Sequence, residues 1–412
     1  MLNHSRVSLY ALMLSAAGIP LYIHLPQFAS INLGISLGTI GTVLLLIRLI
    51  DLVQDPLIGW AIDRWPAFQG AFALSAAAGL ALGFPLLFAL SPGPDVVPQL
   101  VGVLVLLFTA YSIGSILLYG RSATLAANTS PAALVTLAAW REGGSLGGVL
   151  LAALAPALLL ALGASAGGYP AFGIGLGLLA IGTAILTWPI WRRAPVLGDT
   201  FSVAGLGQAG ALRILALALV NSLPVAITST LFLFFVEDRL QLPGYAGPLL
   251  ALFFLSAGVS VPLWTAISQR LGIKTTLLIS MPLAILGFAG AALLGPGDLV
   301  GFAVICIAAG AALGADTMLL PAMFSVVLTR AGLKASLAFG IWAFAGKLGL
   351  ALAAFLVMPL LQSSGFEPGA ANSPGALETL SFAYAVIPCI LKLAALGLVM
   401  TLPPDRGQAT AG

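Results

Sequence analysis

Apolar residues run along this chain in long stretches separated by short polar joints. The stretches 101–119, 149–162 and 277–294 carry no charged residue at all. Backbone buried in lipid must satisfy its own hydrogen bonds, which leaves helices or a closed barrel. A barrel would show short alternating segments, so the unbroken runs select helices. A helix crosses the hydrocarbon core with about 20 residues. On that measure the pattern predicts twelve spans, at roughly 7–29, 35–60, 68–90, 98–122, 133–163, 168–191, 211–237, 245–268, 273–294, 298–328, 334–362 and 379–402. The longer ones imply tilt or extension beyond the membrane. The first apolar run reads as helix one, because no cleavage site follows a short apolar core.

Composition strengthens this reading. Of the 412 residues 60% are hydrophobic and 7% are charged, against roughly 25% charged in soluble domains. So few charges cannot cover a water-facing surface, and the partner of the outer surface is the lipid bilayer. The 48 glycines and 26 prolines would signal loops in a soluble chain. In a membrane bundle, small residues let helices approach and neighbouring helices tolerate proline. Cys306 and Cys389 lie inside apolar runs and read as small buried hydrophobes. The net charge of +3 gives no reason to propose nucleic acid.

Loop charges set the orientation. With both termini in the cytoplasm, that side holds Arg6, Arg64, Arg121, Arg192, Arg193, Arg213, Arg270, Lys274, Arg330, Lys334 and Arg406, against Arg239 alone on the other. The chain also repeats at an offset of half its length. DPLIGWAIDR at 55–64 matches VPLWTAISQR at 261–270, and WREGGSLGG at 140–148 weakly echoes WAFAGKLGL at 342–350. The expected organisation is a six-helix half over 1–191, a cytoplasmic linker over 192–210, a second six-helix half over 211–402 and a cytoplasmic tail over 403–412.

Charges inside the spans are the candidate chemistry, since each is costly there. They are Asp51, Asp55, Glu142 and Asp316, with Arg48, Arg141, Lys347 and Lys392. In LIRLIDLVQDP at 46–56, Asp51 and Asp55 are four apart and share one helix face, with Arg48 three residues before Asp51. Two carboxylates held together repel, and one proton or one sodium ion relieves the repulsion. Hard cations also prefer oxygen ligands. The pair therefore predicts a cation site, against the plainer reading of a permanent network neutralised by Arg48 and Lys347. The repeat places Ala257 and Val261 at the equivalent positions, so the fold repeat does not need the carboxylates.

Gly59, Asp63 and Arg64 stand at the cytoplasmic mouth of the second span. They fit a gate, a set of charges latching the two halves, and equally a simple topogenic loop. Arg141 and Glu142 are adjacent and so point about 100° apart, which predicts that only one of them, Arg141, faces a cavity. Asp316 is expected to touch substrate, carry a proton or form a structural pair. Lys392 reads as a peripheral charge without a role. Trp60, Trp65, Trp188 and Trp191 read as interface anchors. No nucleophile elbow, P-loop, metal cluster or dinucleotide fingerprint is present, so an enzyme and a cofactor are not expected.

The run from Arg48 through Asp51, Asp55 and Pro56 to Gly59, with GISLGTIGT at 34–42 upstream, resembles the major facilitator superfamily. Within it, the run resembles the glycoside–pentoside–hexuronide:cation symporter family, the melibiose-permease-like transporters. The stretches around Arg141 and Lys347 fit the same family's fifth and eleventh helices. The resemblance implies an all-α integral membrane fold of twelve helices in two six-helix halves, and cation-coupled transport of a small solute by alternating access. It places Asp51, Asp55 and Ser112 at the coupling cation, either a proton or sodium, and Arg48, Lys347 and Glu142 in the charge network. Arg141, Tyr119, Ser115, Ser15 and Asp316 fall on the substrate side. Sugar permeases of the family grip hydroxyls with aspartates where Ser15 and Ser115 stand, and Ala343 replaces a threonine. The cation side is thus only partly kept and the substrate side is changed. A sugar or sugar derivative, a lysolipid or other amphiphile, and a non-transporting sensor on the same fold remain open. The expected setting is a monomer in the cell membrane, the inner membrane of a bacterium.

Overall fold

The computed structural model describes residues 2–161, 163, 168–196, 203–367 and 371–403. Residues 197–202 of the expected linker and residues 404–412 of the expected tail, with Arg406, lie outside the described residues. Among the described residues the chain forms twelve long helical runs and no strand. In the first portion these are α1 (residues 2–31), α2 (Leu37–Arg64), α3 (Pro66–Phe88), α4 (Val96–Gly120), α5 (Pro131–Ala161) and α6 (Tyr169–Trp191). There follow α7 (Ala211–Arg239), α8 (Ala246–Leu271), α9 (Ile273–Ala291), α10 (Leu299–Arg330), α11 (Ser336–Ser363) and α12 (Pro374–Thr401). Among the described residues, nine of these runs are long and apolar enough to cross a membrane by length and composition. The fold is an all-helical membrane fold.

Among the described residues, three of the runs widen into a π turn, at Pro20–His24 in α1, Phe235–Arg239 in α7 and Phe382–Val386 in α12. The first begins on a proline, whose ring clashes with the preceding turn and whose missing N–H breaks the ladder there. Helix α2 reaches Arg64, so Asp63 and Arg64 belong to its last turn rather than to the loop beyond.

Close helix crossings use glycine. On α5, a Cβ at Gly144 would lie 2.0 Å from the Ser8 carbonyl oxygen, and one at Gly148 would lie 2.2 Å from that of Leu12. The two glycines are four residues apart on one face, so α1 runs backbone against backbone along α5. Gly310 and Gly314 repeat the device on α10, against the carbonyl oxygens of Phe253 and Ala257 on α8. In GLGLLAIG at 175–182, Gly177 alone meets a neighbour, Ala81 of α3, while Gly175 and Gly182 face open space.

The helices group into two compact units. The first contains Met1–Ser202 together with Leu328–Phe344, and the second contains Val203–Val327 with Ala345–Gly412. In the first unit α3 packs on α4 and α6, and α2 packs on α4. In the second, α12 packs on α7 and α9. The start of α11 thus belongs with the first unit, although half-chain counting assigns it to the second.

Candidate functional site

Helix α2 is built inside out. Its buried stripe is Ile40, Val43, Ile47, Asp51, Asp55, Gly59 and Ile62, while Leu45, Leu46, Leu49, Val53, Leu57 and Trp60 are exposed. The stripe recurs every three or four residues, the spacing of one helix face. Apolar residues on the other face suit lipid. The two carboxylates occupy the centre of the buried face, both at 0% exposure.

Asp51 Oδ2 lies 3.7 Å from Arg48 Nη1, and Asp51 Oδ1 accepts a hydrogen bond from Gln54 Nε2 at 2.7 Å. Gln54 Oε1 in turn accepts from the Thr109 hydroxyl of α4 at 2.9 Å. The Arg48 guanidinium sits 5.5 Å from the centre of the Phe108 ring. Thr109 and Phe108 thereby fix the far ends of a chain that orients Asp51. Ser112, buried one turn after Thr109, follows on α4, and its carbonyl oxygen accepts from the Ser115 hydroxyl at 3.2 Å.

Tyr119 lies about 15 Å further along α4 than Thr109, at 1.5 Å per residue. There α5 contributes Arg141 and Glu142, which the sequence expects to point apart. They do not: Arg141 Nε donates to Glu142 Oε1 at 3.2 Å, and Tyr119 OH donates to the same oxygen at 3.4 Å. The long side chains bend across the helix surface and meet over one ring, with the Arg141 guanidinium 3.8 Å from the Tyr119 ring centre. Phe339 completes this cluster from α11, 5.7 Å from Tyr119 between ring centres. Cation–π contact of this kind contributes about 0.5–2 kcal/mol when desolvated.

At the end of α2, Asp63 binds the first turn of α11. Its Oδ1 accepts from the Ser336 amide at 3.2 Å and its Oδ2 from the Leu337 amide at 2.8 Å. Close approach makes this contact reachable. A Cβ at Gly59 would lie 2.4 Å from the Ser336 carbonyl oxygen, and one at Gly340 would lie 2.5 Å from that of Asp55. Arg64 is exposed.

The second unit carries its own polar cluster. Lys392 of α12 donates to Asp316 Oδ2 of α10 and, at 2.6 Å, to Asn221 Oδ1 of α7. Asn221 Nδ2 donates to Asp316 Oδ2 at 3.3 Å. Lys392 is therefore not peripheral: it is 2% exposed and is the counter-ion of Asp316. Lys347 lies in the second unit and is half-buried, as is Ser15 of α1 in the first. Trp191, expected at the interface, is buried edge-on against Tyr10, with ring centres 4.8 Å apart. Gln54, Thr109 and Asn221 escape sequence reading because a neutral polar residue in an apolar run carries no charge signal. Gln54 was nonetheless visible inside LIRLIDLVQDP, three residues after Asp51.

No curated protein matches the chain. Among solved structures, it is similar to a bacterial homologue of the iron transporter ferroportin in an outward-facing state, with 12% identity over 95% of this chain and 99% of that one and a TM-score of 0.72. The same homologue with soaked iron matches with 13% identity over 96% and 98% of the two chains and again a TM-score of 0.72. At such identity the likeness speaks of fold alone. The family described as MFS/sugar transport protein, in contrast, matches residues 7–406. With that match over nearly its whole length, the chain belongs to the major facilitator superfamily, and it is a transporter rather than an enzyme.

Proposed function

We propose that this transporter is cation-coupled, that Asp51 and Asp55 of α2 hold the coupling proton or sodium ion, and that the solute moved is small, with a sugar or sugar derivative the favoured class. The observation that carries the proposal is the placement of two fully buried carboxylates one turn apart on the buried stripe of α2, between Ile47 and Gly59. A carboxylate in such a stripe is expensive, and a bound cation offsets the repulsion between two of them. Gln54, pinned by Thr109, presents Asp51 in one orientation. Ser112 offers a hydroxyl nearby on α4 and Arg48 the neighbouring positive charge; Glu142, paired with Arg141, is a further charge of the same unit, and Lys347 is a charge of the other unit.

On the solute side, Arg141 and Tyr119 form a charged and aromatic surface suited to a polar ring, with Ser115 and Ser15 as further polar groups of the first unit; Asp316 is the candidate solute contact of the second unit. Among the described residues no three His, Cys, Asp or Glu side chains gather as a metal site. Gating falls to Asp63, Gly59 and Arg64. The Asp63 carboxylate holds the start of α11, and releasing it is a step of the transport cycle.

The test needs no known solute. Purified protein is expected to change its unfolding temperature with added sodium, where sodium is the ion, or with pH, where the proton is, and Asp51→Asn and Asp55→Asn each abolish that response while the chain stays folded. A response to sodium and to pH that is unchanged in both variants overturns the proposal.

A further inference from the structure

We infer that the Asp316–Lys392–Asn221 cluster of the second unit is a ligand subsite, in which Asp316 Oδ1 accepts a hydrogen bond from an uncharged, hydroxyl-bearing solute while Lys392 excludes cations. The inference rests on the transporter reading and adds a ligand class and a selectivity residue to it. Its first ground is an imbalance within the cluster. Lys392 and Asn221 both donate to Asp316 Oδ2, and Lys392 also donates to Asn221 Oδ1, so the donors converge on one edge. Asp316 Oδ1 is buried and receives no hydrogen bond among the described residues. A buried carboxylate oxygen left in this state is destabilising, and a hydroxyl donor removes that cost.

The second ground is energetic. Asp316, Lys392 and Asn221 are 4%, 2% and 5% exposed. A buried ion pair is commonly no more stable than apolar residues of the same volume, so packing alone does not account for one at the middle of α10. What the cluster does supply is a carboxylate fixed in one orientation by partners from two other helices.

The third ground is charge. Asp316 and Lys392 cancel, so a cation arriving at Oδ1 meets the ammonium of Lys392 with no net negative charge to hold it. An anion meets the bare carboxylate oxygen. A neutral hydroxyl meets neither penalty. The same helices leave a gap further along: a cavity of about 20 Å³, lined in part by Thr228, Ser229 and Tyr384, lies among α7, α8, α9, α10 and α12. These residues are seven or eight positions from Asn221 and Lys392, about 10–12 Å along the helix axes, and the volume holds about one water.

Thiol labelling tests the inference without a known solute. In a chain with Cys306→Ala and Cys389→Ala, Asn221→Cys keeps the ion pair and puts a thiol beside it. Hydrophilic methanethiosulfonates that are neutral, cationic or anionic are applied from each side of the membrane in vesicles. The expected result is reaction with the neutral reagent and a cationic rate lower by about tenfold or more, the scale of local field effects in a cleft. Adding Lys392→Met reverses the cationic penalty. Where that variant fails to fold, Asp316→Asn with Lys392→Met is expected to erase it. No labelling of the folded Asn221→Cys chain from either side overturns the inference, as do cationic and neutral rates that are equal with Lys392 present. Loss of the sodium response in the Asp51 and Asp55 experiment has no bearing on these rates, so the two proposals fail separately.

Discussion

The carboxylate of Asp63 accepts the backbone N–H of Leu337 at 2.8 Å, and with its other oxygen that of Ser336 at 3.2 Å. These are the first two residues of α11, whose opening N–H groups have no partner within the helix. A side chain from α2, 274 residues earlier in sequence, therefore caps this helix, and its charge complements the positive end of the helix dipole. Asp63→Ala is expected to remove about 1–2 kcal/mol of local stability. Amide exchange at Ser336 and Leu337 then rises by about 5- to 30-fold, with Asp63→Asn in between. Hydrogen-exchange mass spectrometry of the peptide over 328–344 reads this directly, and unchanged exchange in Asp63→Ala means the cap does not hold the helix.

Gly143 and Gly144 are neighbours with opposite surroundings. A Cβ at Gly144 collides with the Ser8 backbone at 2.0 Å, whereas one at Gly143 meets nothing within 4 Å. Gly144→Ala is expected to destabilise by about 1–3 kcal/mol, as overpacking does. Gly143→Ala is expected to be neutral or to stabilise by about 0.5–1 kcal/mol, from helix propensity alone. Thermal unfolding of the two variants in detergent separates these outcomes, and equal unfolding temperatures would show that α1 and α5 are not in backbone contact.

The membrane class and the helix pattern were legible because each rests on long runs: a lipid-facing helix must be apolar for about 20 residues, and sequence shows that directly. The Asp51–Asp55 face was legible because a spacing of four fixes a helix face. Partners on other helices were not legible. Lys392 read as peripheral because the expected span over 379–402 offers no counter-charge, and Asp316 stands 76 residues away. Arg141 and Glu142 read as divergent because 100° describes where Cβ atoms point. The two side chains are long enough to bend back over Tyr119. The start of α11 read as part of the second half because counting helices does not show that Gly59 and Gly340 let it close onto α2.

Tyr119 separates ring from hydroxyl. Its O–H reaches Glu142 at 3.4 Å, beyond the usual length for such a bond, while Arg141 stacks at 3.8 Å over the ring. Tyr119→Phe keeps the ring and is expected to lose less than about 1 kcal/mol. Tyr119→Ala removes both contacts and the ring against Phe339, and the loss grows to about 3–5 kcal/mol. Unfolding temperatures that fall equally in the two variants would place the hydroxyl, not the ring, at the centre of the cluster.

The Asp316–Lys392 pair makes a prediction through non-additivity. Removing one partner leaves an uncompensated charge among residues that are almost fully buried, a loss of about 3–5 kcal/mol. Removing both leaves no charge but strips Asn221 of both partners, and a neutral orphan amide costs about 1–3 kcal/mol, less than an unpaired ion. Asp316→Leu and Lys392→Met are therefore each expected to unfold at markedly lower temperature than the parent chain, and the double variant to recover most of the difference. The coupling read from this cycle has the sign of mutual dependence, whereas independent sites would give losses that add. A double variant as unstable as the sum of the two singles would mean that Lys392 does not compensate the Asp316 charge, and the cation-excluding role assigned to it would fall with that result.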